Sequence, residues 1–140
     1  MSTAAMPFSH PMPMPASFSK PMAERDLDGR TAIVTGSTSG IGLGVAEALA
    51  MRGATIVLNG LGDMRQIEMT RAGLATKHET DVLYHGADLS KASEVEQMVE
   101  FTSRKAGGVD ILVNNAGIQF VSKIEEFPAA KWDAILAINL

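Results

Sequence analysis

The chain contains no cysteine among its 140 residues. Disulfides, thiol nucleophiles and thiolate metal sites are therefore excluded, and a reducing compartment, the cytoplasm, is the expected location. No apolar run approaches the roughly 18 residues that a membrane-spanning helix needs, so no membrane partner is expected. Cationic charge is scarce. Lys and Arg number 12 against 16 Asp and Glu, a net charge of -4, which argues against nucleic acid or an anionic membrane surface as a partner. His10, His78 and His85 lack the partners at short spacing that a metal site requires, so no metal is expected.

Proline is scarce everywhere but at one end. Pro7, Pro11, Pro13, Pro15 and Pro21 are five of the 6 prolines, and Met1, Met6, Met12, Met14 and Met22 are five of the 9 methionines. Proline at that density fixes φ and removes backbone donors, which blocks helices and sheet ladders alike. Residues 1–26 are accordingly expected to form a disordered leader. The segment has neither the basic start and apolar core of a secretory signal nor the arginines of a transit peptide, and Met22 is an alternative start.

From residue 27 onward strand and helix patterns alternate. Residues 31–35 form a β-branched run that reads as a strand, and 42–52 read as a helix ended by Gly53. A strand is expected at 55–59, a helix at 64–76 and a strand at 82–85. Ser90 is the expected cap of a helix running to about residue 105, with Val95, Met98, Val99 and Thr102 on one face. Residues 109–114 read as a strand covered on both faces. A last helix begins near Pro128 and carries Trp132, Ile135, Leu136 and Ile138.

The run Ala32-Ile33-Val34-Thr35-Gly36-Ser37-Thr38-Ser39-Gly40-Ile41-Gly42 joins the first strand to the first helix through a glycine turn. Glycine tolerates a positive φ, and its missing side chain lets backbone approach a phosphate and the helix approach the sheet. The helix N-terminus then offers free N–H groups and a positive dipole end to an anion. Ser37, Thr38 and Ser39 are candidate hydroxyl donors. A turn without a ligand is the alternative, and the strand before and helix after weigh against it. The expected fold is α/β: a Rossmann-like doubly wound parallel sheet, stopping after the fourth strand and the start of the following helix. On this reading residues 27–140 are the N-terminal part of a dinucleotide-binding domain.

Thr35-Gly36-Ser37-Thr38-Ser39-Gly40-Ile41-Gly42 resembles the first signature of the short-chain dehydrogenase/reductase family, and Asn114-Asn115-Ala116-Gly117 resembles its second. The resemblance implies a nicotinamide cofactor held by Gly36, Ser37, Thr38, Ser39, Gly40, Ile41, Gly42, Leu61, Asp88, Leu89, Asn115, Ala116 and Gly117. It implies an adenine contact for Asp88 and a catalytic role for Asn139. Residues 36–44, 56–63, 86–91, 114–119 and 127–137 look like the bacterial D-3-hydroxybutyrate dehydrogenases of that family. This implies oxidation of a small-molecule substrate, 3-hydroxybutyrate, to acetoacetate with NAD. It also implies a substrate-carboxylate contact for Gln119 and a homotetramer for the full-length form.

Other roles stay open beside these. Gln119 also reads as a solvated loop amide, Asp88 as a helix-starting residue, and Asn114 and Asn115 as a turn pair. Asn139 is expected inside a helix, where asparagine is not favoured. Another small hydroxy-acid or oxo-acid substrate remains an alternative, because Phe120 stands where a more polar residue is expected. So does a truncated, non-catalytic nucleotide-binding protein.

Two features bear on cofactor and catalysis. No acid stands at Asn59-Gly60-Leu61, where NAD sites commonly hold the ribose; Asp63 follows slightly late, and Arg65 is the nearest candidate for a 2′-phosphate. NAD is the expected cofactor. The family's serine and Tyr-x-x-x-Lys pair are missing: the one tyrosine, Tyr84, has Asp88 four residues on. The expectation is a fragment of a longer enzyme, inactive alone, with the fourth strand's outer edge exposed beside apolar side chains.

Overall fold

A computed structural model describes residues 25–140; nearly all of the expected leader lies outside them. Arg25 and Asp26, assigned to that leader, belong to the folded part. The Arg25 guanidinium donates to the His78 carbonyl at 3.1 Å, and Arg52 holds the Asp26 carboxylate.

Four parallel strands make one sheet in the order β3-β2-β1-β4. They are β1 (Thr31–Val34), β2 (Thr55–Asn59), β3 (Val82–His85) and β4 (Ile111–Val113). Helices α1 (Gly40–Met51), α2 (Met64–His78) and α3 (Ala92–Ala106) form the crossovers, and a short 3-10 turn (Ile124–Glu126) leads to α4 (Ala129–Asn139). The chain steps outward from β1 through β2 to β3, then returns to place β4 on the other side of β1. A cleft at the C-terminal ends of the strands, where that order reverses, is the natural binding place in such a sheet.

The core follows the period of two along the strands. Ala32, Val34, Ile56, Leu58 and Val82 face Ala46 and Ala50 of α1 and Leu74 of α2. Ile33 and Val57 face the other way, onto Met98 of α3 and Ala87. The buried stripe of α1 is Gly42, Ala46 and Ala50, small residues that bring this helix close to the sheet.

Several boundaries differ from expectation for local reasons. Strand β1 ends at Val34 because Thr35 turns its hydroxyl into the loop after β4, accepting the Asn115 and Ala116 amides at 3.0 Å each. Helix α1 starts two residues early, at Gly40. Lys91, not Ser90, occupies the cap position of α3, and the Ser90 hydroxyl donates to Asp88 at 2.7 Å instead. Pro128 precedes α4 rather than opening its first turn. Strand β4 is shorter than expected and is not covered on both faces: Leu112 is 57% exposed. Met69 of α2 and Val99 of α3 are also exposed, and α4 buries no residue. Among the described residues no strand pairs with the outer edge of β4.

One buried polar group ties the strand ends together. Asn59 is 1% exposed. Its amide nitrogen donates to the carbonyls of His85 and Ala87 at 3.0 Å each, and its oxygen accepts from the Gly36 amide at 3.4 Å. Its own backbone N–H reaches the Ser37 hydroxyl at 3.0 Å, while its carbonyl accepts the Ser37 amide at 2.7 Å. At the opposite end of the sheet, Asp110 accepts the Thr31 amide at 2.9 Å and pairs with Arg30 at 2.8 Å, and these contacts hold its carboxyl below the ordinary value.

Asn59→Leu keeps the volume but strips three backbone groups of their partner at once. It is expected to cost about 2–4 kcal/mol in urea unfolding, because buried polar groups left unpaired carry their full desolvation penalty. A cost below about 0.5 kcal/mol, the level of an ordinary surface change, would contradict this role.

Candidate functional site

The cleft at the strand ends has a volume of about 410 Å³. Gly36, Thr38 and Ser39 line it from the turn after β1, and Asn59, Gly60 and Leu61 from the end of β2. Ala87, Asp88 and Leu89 follow β3; Asn115, Ala116, Gly117 and Ile118 follow β4; and Ile138 comes from α4.

The glycine turn is built by close approaches. Gly36 has a φ of +61°, and a Cβ there would stand 2.9 Å from the Ala116 Cα. A Cβ on Gly42 would collide with the Gly36 carbonyl oxygen and the Asn115 amide nitrogen. That nitrogen donates to the carbonyls of Thr35 and Gly36 at 2.9 and 3.1 Å. Asn115 therefore clamps the turn from the β4 side while Asn59 holds it from the β2 side.

Helix α1 begins at this turn with an open N-terminus. Ser39, its cap residue, makes no side-chain cap bond, and the first turn carries no acid. The N–H groups that a helix leaves unpaired there are free for an anion. A pyrophosphate fits this helix end: a Cβ at Gly40 would meet nothing within 4 Å, so the approach is open, and no acid neutralises the dipole end. Among the described residues no lysine or arginine lines the cleft, and Asp88 is its one acid. An anion there would rest on main-chain donors and the Thr38 and Ser39 hydroxyls rather than on a cation.

Asp88 stays ionised readily. The Ser90 hydroxyl first, then the Ser90 amide and Lys91, hold its carboxyl below the ordinary value. Its backbone N–H donates to Glu94 of α3 at 2.8 Å, which fixes it at the helix entrance.

Not all the expected residues meet in the cleft. Thr38, Ser39, Leu61, Asp88, Leu89, Asn115, Ala116 and Gly117 line it with Gly36. Ser37 does not: it is fully buried, and its hydroxyl donates to the Val34 carbonyl at 2.6 Å. Gly40 adopts a φ of +58° and opens α1, while Ile41 is 82% exposed and does not line the cleft. Gln119 is exposed beyond Gly117 and does not line the cleft.

Asn139 ends α4 rather than sitting within it. It lines an adjoining hollow of about 330 Å³ with Asn114, separated from the cleft by the shared wall of Leu89, Ala116 and Ile138. Its amide is already paired: the oxygen accepts the Ile118 N–H and the nitrogen donates to the Ile118 carbonyl, both at 2.9 Å. Thr35 and Asn59 are the positions that sequence reasoning passed over. The available signal was polarity at the end of otherwise apolar strands.

The short chain dehydrogenase family model matches residues 30–140. The chain is 57% identical over 116 residues to D-beta-hydroxybutyrate dehydrogenase of Cupriavidus necator, covering 81% of this chain and 43% of that protein. It is 51% identical over 111 residues to the enzyme of the same name from Rhizobium meliloti, covering 79% and 43%. It therefore spans less than half the length of these curated relatives. Among solved structures, L-sorbose reductase from Gluconobacter frateurii, complexed with NADPH and L-sorbose, superposes with a TM-score of 0.75. That protein shares 36% sequence identity over 80% of this chain and 42% of its own.

The two glycines at the start of α1 should respond oppositely to alanine. Gly42→Ala drives the helix from the turn and is expected to abolish nucleotide binding. Gly44→Ala meets nothing within 4 Å and should stabilise the fold by about 0.5–1 kcal/mol. Thermal melting and a binding isotherm on both variants read the contrast; equal behaviour would refute it.

Proposed function

The chain belongs to the short-chain dehydrogenase family, and we propose that it is the nucleotide-binding part of an NAD-dependent oxidoreductase that converts 3-hydroxybutyrate to acetoacetate. The observation that carries the nucleotide part is the cleft itself: a glycine turn leads into an uncapped helix N-terminus at the point where strand order reverses. The substrate part rests on the identity with the hydroxybutyrate enzymes of two bacteria.

Each lining group then has a task. The main chain of Gly36 to Gly42 cradles the pyrophosphate, with Thr38 and Ser39 as hydroxyl donors. Asp88 accepts from the adenine amino group, while Leu61, Leu89, Ala116 and Gly117 give the cofactor its apolar contacts. Asn115 keeps the turn in place. Ser37 acts from within the core, as a brace for the same turn. Bound nicotinamide would supply the hydride acceptor. Gln119 contacts the substrate carboxylate, and Asn139 serves catalysis from the end of α4, where it already orders Ile118 of the cleft.

NAD is favoured over NADP by charge. A 2′-phosphate would enter a cleft that, among the described residues, is lined by no cation and by one carboxylate. Asp63 caps α2 just beyond Leu61, accepting the Gln66 amide at 2.9 Å, and Arg65, the nearest candidate for a 2′-phosphate, stands in the first turn of that helix and does not line the cleft. The homotetramer of the whole protein belongs to the same proposal, supported by the exposed Trp132 and Leu136 on α4.

Alcohol oxidation also needs a proton acceptor, and Tyr84 does not qualify. It lies in β3, its hydroxyl donates to the Gly60 carbonyl at 2.8 Å, and it does not line the cleft. The purified chain is expected to bind NAD more tightly than NADP in calorimetric titration, yet to form no NADH from 3-hydroxybutyrate. Tighter binding of NADP, or binding of neither, would overturn the cofactor reading; steady turnover would overturn the assignment of roles.

A further inference from the structure

We propose that Tyr84 is a positioning residue for the adenosine ribose, acting through the main chain at the end of β2. The inference rests on the reading that the cleft binds a nicotinamide dinucleotide.

The corner formed by Asn59, Gly60 and Leu61 has no side chain suited to recognise a sugar hydroxyl. The Asn59 amide is spent inward, on the Gly36 amide and the carbonyls of His85 and Ala87. Gly60 has no side chain, and Leu61 is apolar. Of these three residues only main-chain groups are left to recognise a ligand, so their part in recognition depends on where the main chain is held.

Three observations show what holds it. The Tyr84 hydroxyl donates to the Gly60 carbonyl at 2.8 Å, reaching across from β3. A Cβ on Gly86 would lie 2.8 Å from that hydroxyl, so the missing side chain of Gly86 makes room for it. On its other side Gly60, at a φ of +158°, packs against Thr38: a Cβ there would lie 2.6 Å from the Thr38 hydroxyl oxygen. Gly60 is thereby fixed between the tyrosine of one strand and the glycine turn that receives the pyrophosphate. The same contact leaves no room at Gly60 for the acid that other NAD sites use at the end of this strand. Tyr84 supplies by position what an acidic side chain would supply by charge.

Tyr84→Phe keeps the ring and removes only the hydroxyl. Calorimetric titration of the full 140-residue chain with NAD and with NADP is the test, alongside thermal melting. The variant is expected to bind NAD about fivefold more weakly, the effect of one hydrogen bond, and to lose a similar factor in its preference for NAD over NADP. Val82→Ala, in the same strand and 2% exposed, serves as a control that loosens the core without touching Gly60. It should lower the melting temperature and leave the NAD to NADP ratio unchanged. Unaltered binding and ratio in Tyr84→Phe would overturn the inference while leaving the cofactor reading intact. An equal change of ratio in Val82→Ala would also overturn it, since general loosening would then suffice. Failure of the native chain to bind either dinucleotide would overturn the cofactor reading and this inference together.

Discussion

A carboxamide shut away from water governs the working end of this molecule. Asn59 joins the turn after β1 to the ends of β2 and β3, and the Ser37 hydroxyl completes the knot from within. Buried polar groups of this kind hold a single geometry, because every alternative leaves a donor or acceptor unpaired. Asn115 does the same from the β4 side, through Thr35 and Gly36. The glycine turn is therefore fixed on both flanks by groups of the chain itself. Bracing of this kind lowers the ordering cost of binding.

The chemistry of the cleft follows from how those polar side chains are used. Ser37, Asn59 and Asn115 face backbone, not solvent. What remains at the surface is peptide N–H and C=O, two hydroxyls, an ionised Asp88 and apolar contacts. Such a lining suits a long, weakly charged dinucleotide whose pyrophosphate meets a helix N-terminus.

Much of the architecture was legible in the residues. Strands β2 and β3 fall where the β-branched and apolar runs put them, and the glycine turn predicts both the open helix end and the close approach of that helix to the sheet. The misreadings share one cause: a side chain's hydrogen-bond partner cannot be read from its local pattern. Ser37 looked like a ligand donor because it sits in the motif, yet its hydroxyl serves Val34 and Asn59. Ser90 looked like a helix cap, yet it turns back to Asp88. Asn139 looked stranded inside a helix, and its amide pairs with a loop residue 21 positions earlier. The apolar run of β4 suggested cover on both faces, but hydrophobicity records what a strand is suited to, not what lies against it, and Leu112 is exposed.

The central claim is that the turn after β1, the ends of β2 and β3 and the loop after β4 form one dinucleotide cleft. Amide NMR of the uniformly labelled chain titrated with NAD tests it most directly. The account predicts shifts concentrated at 36–42, 59–61, 87–89 and 115–118, with the opposite end of the sheet, around Thr31 and Asp110, unmoved. Absence of shifts at saturating NAD, or shifts centred on that opposite end, would contradict it.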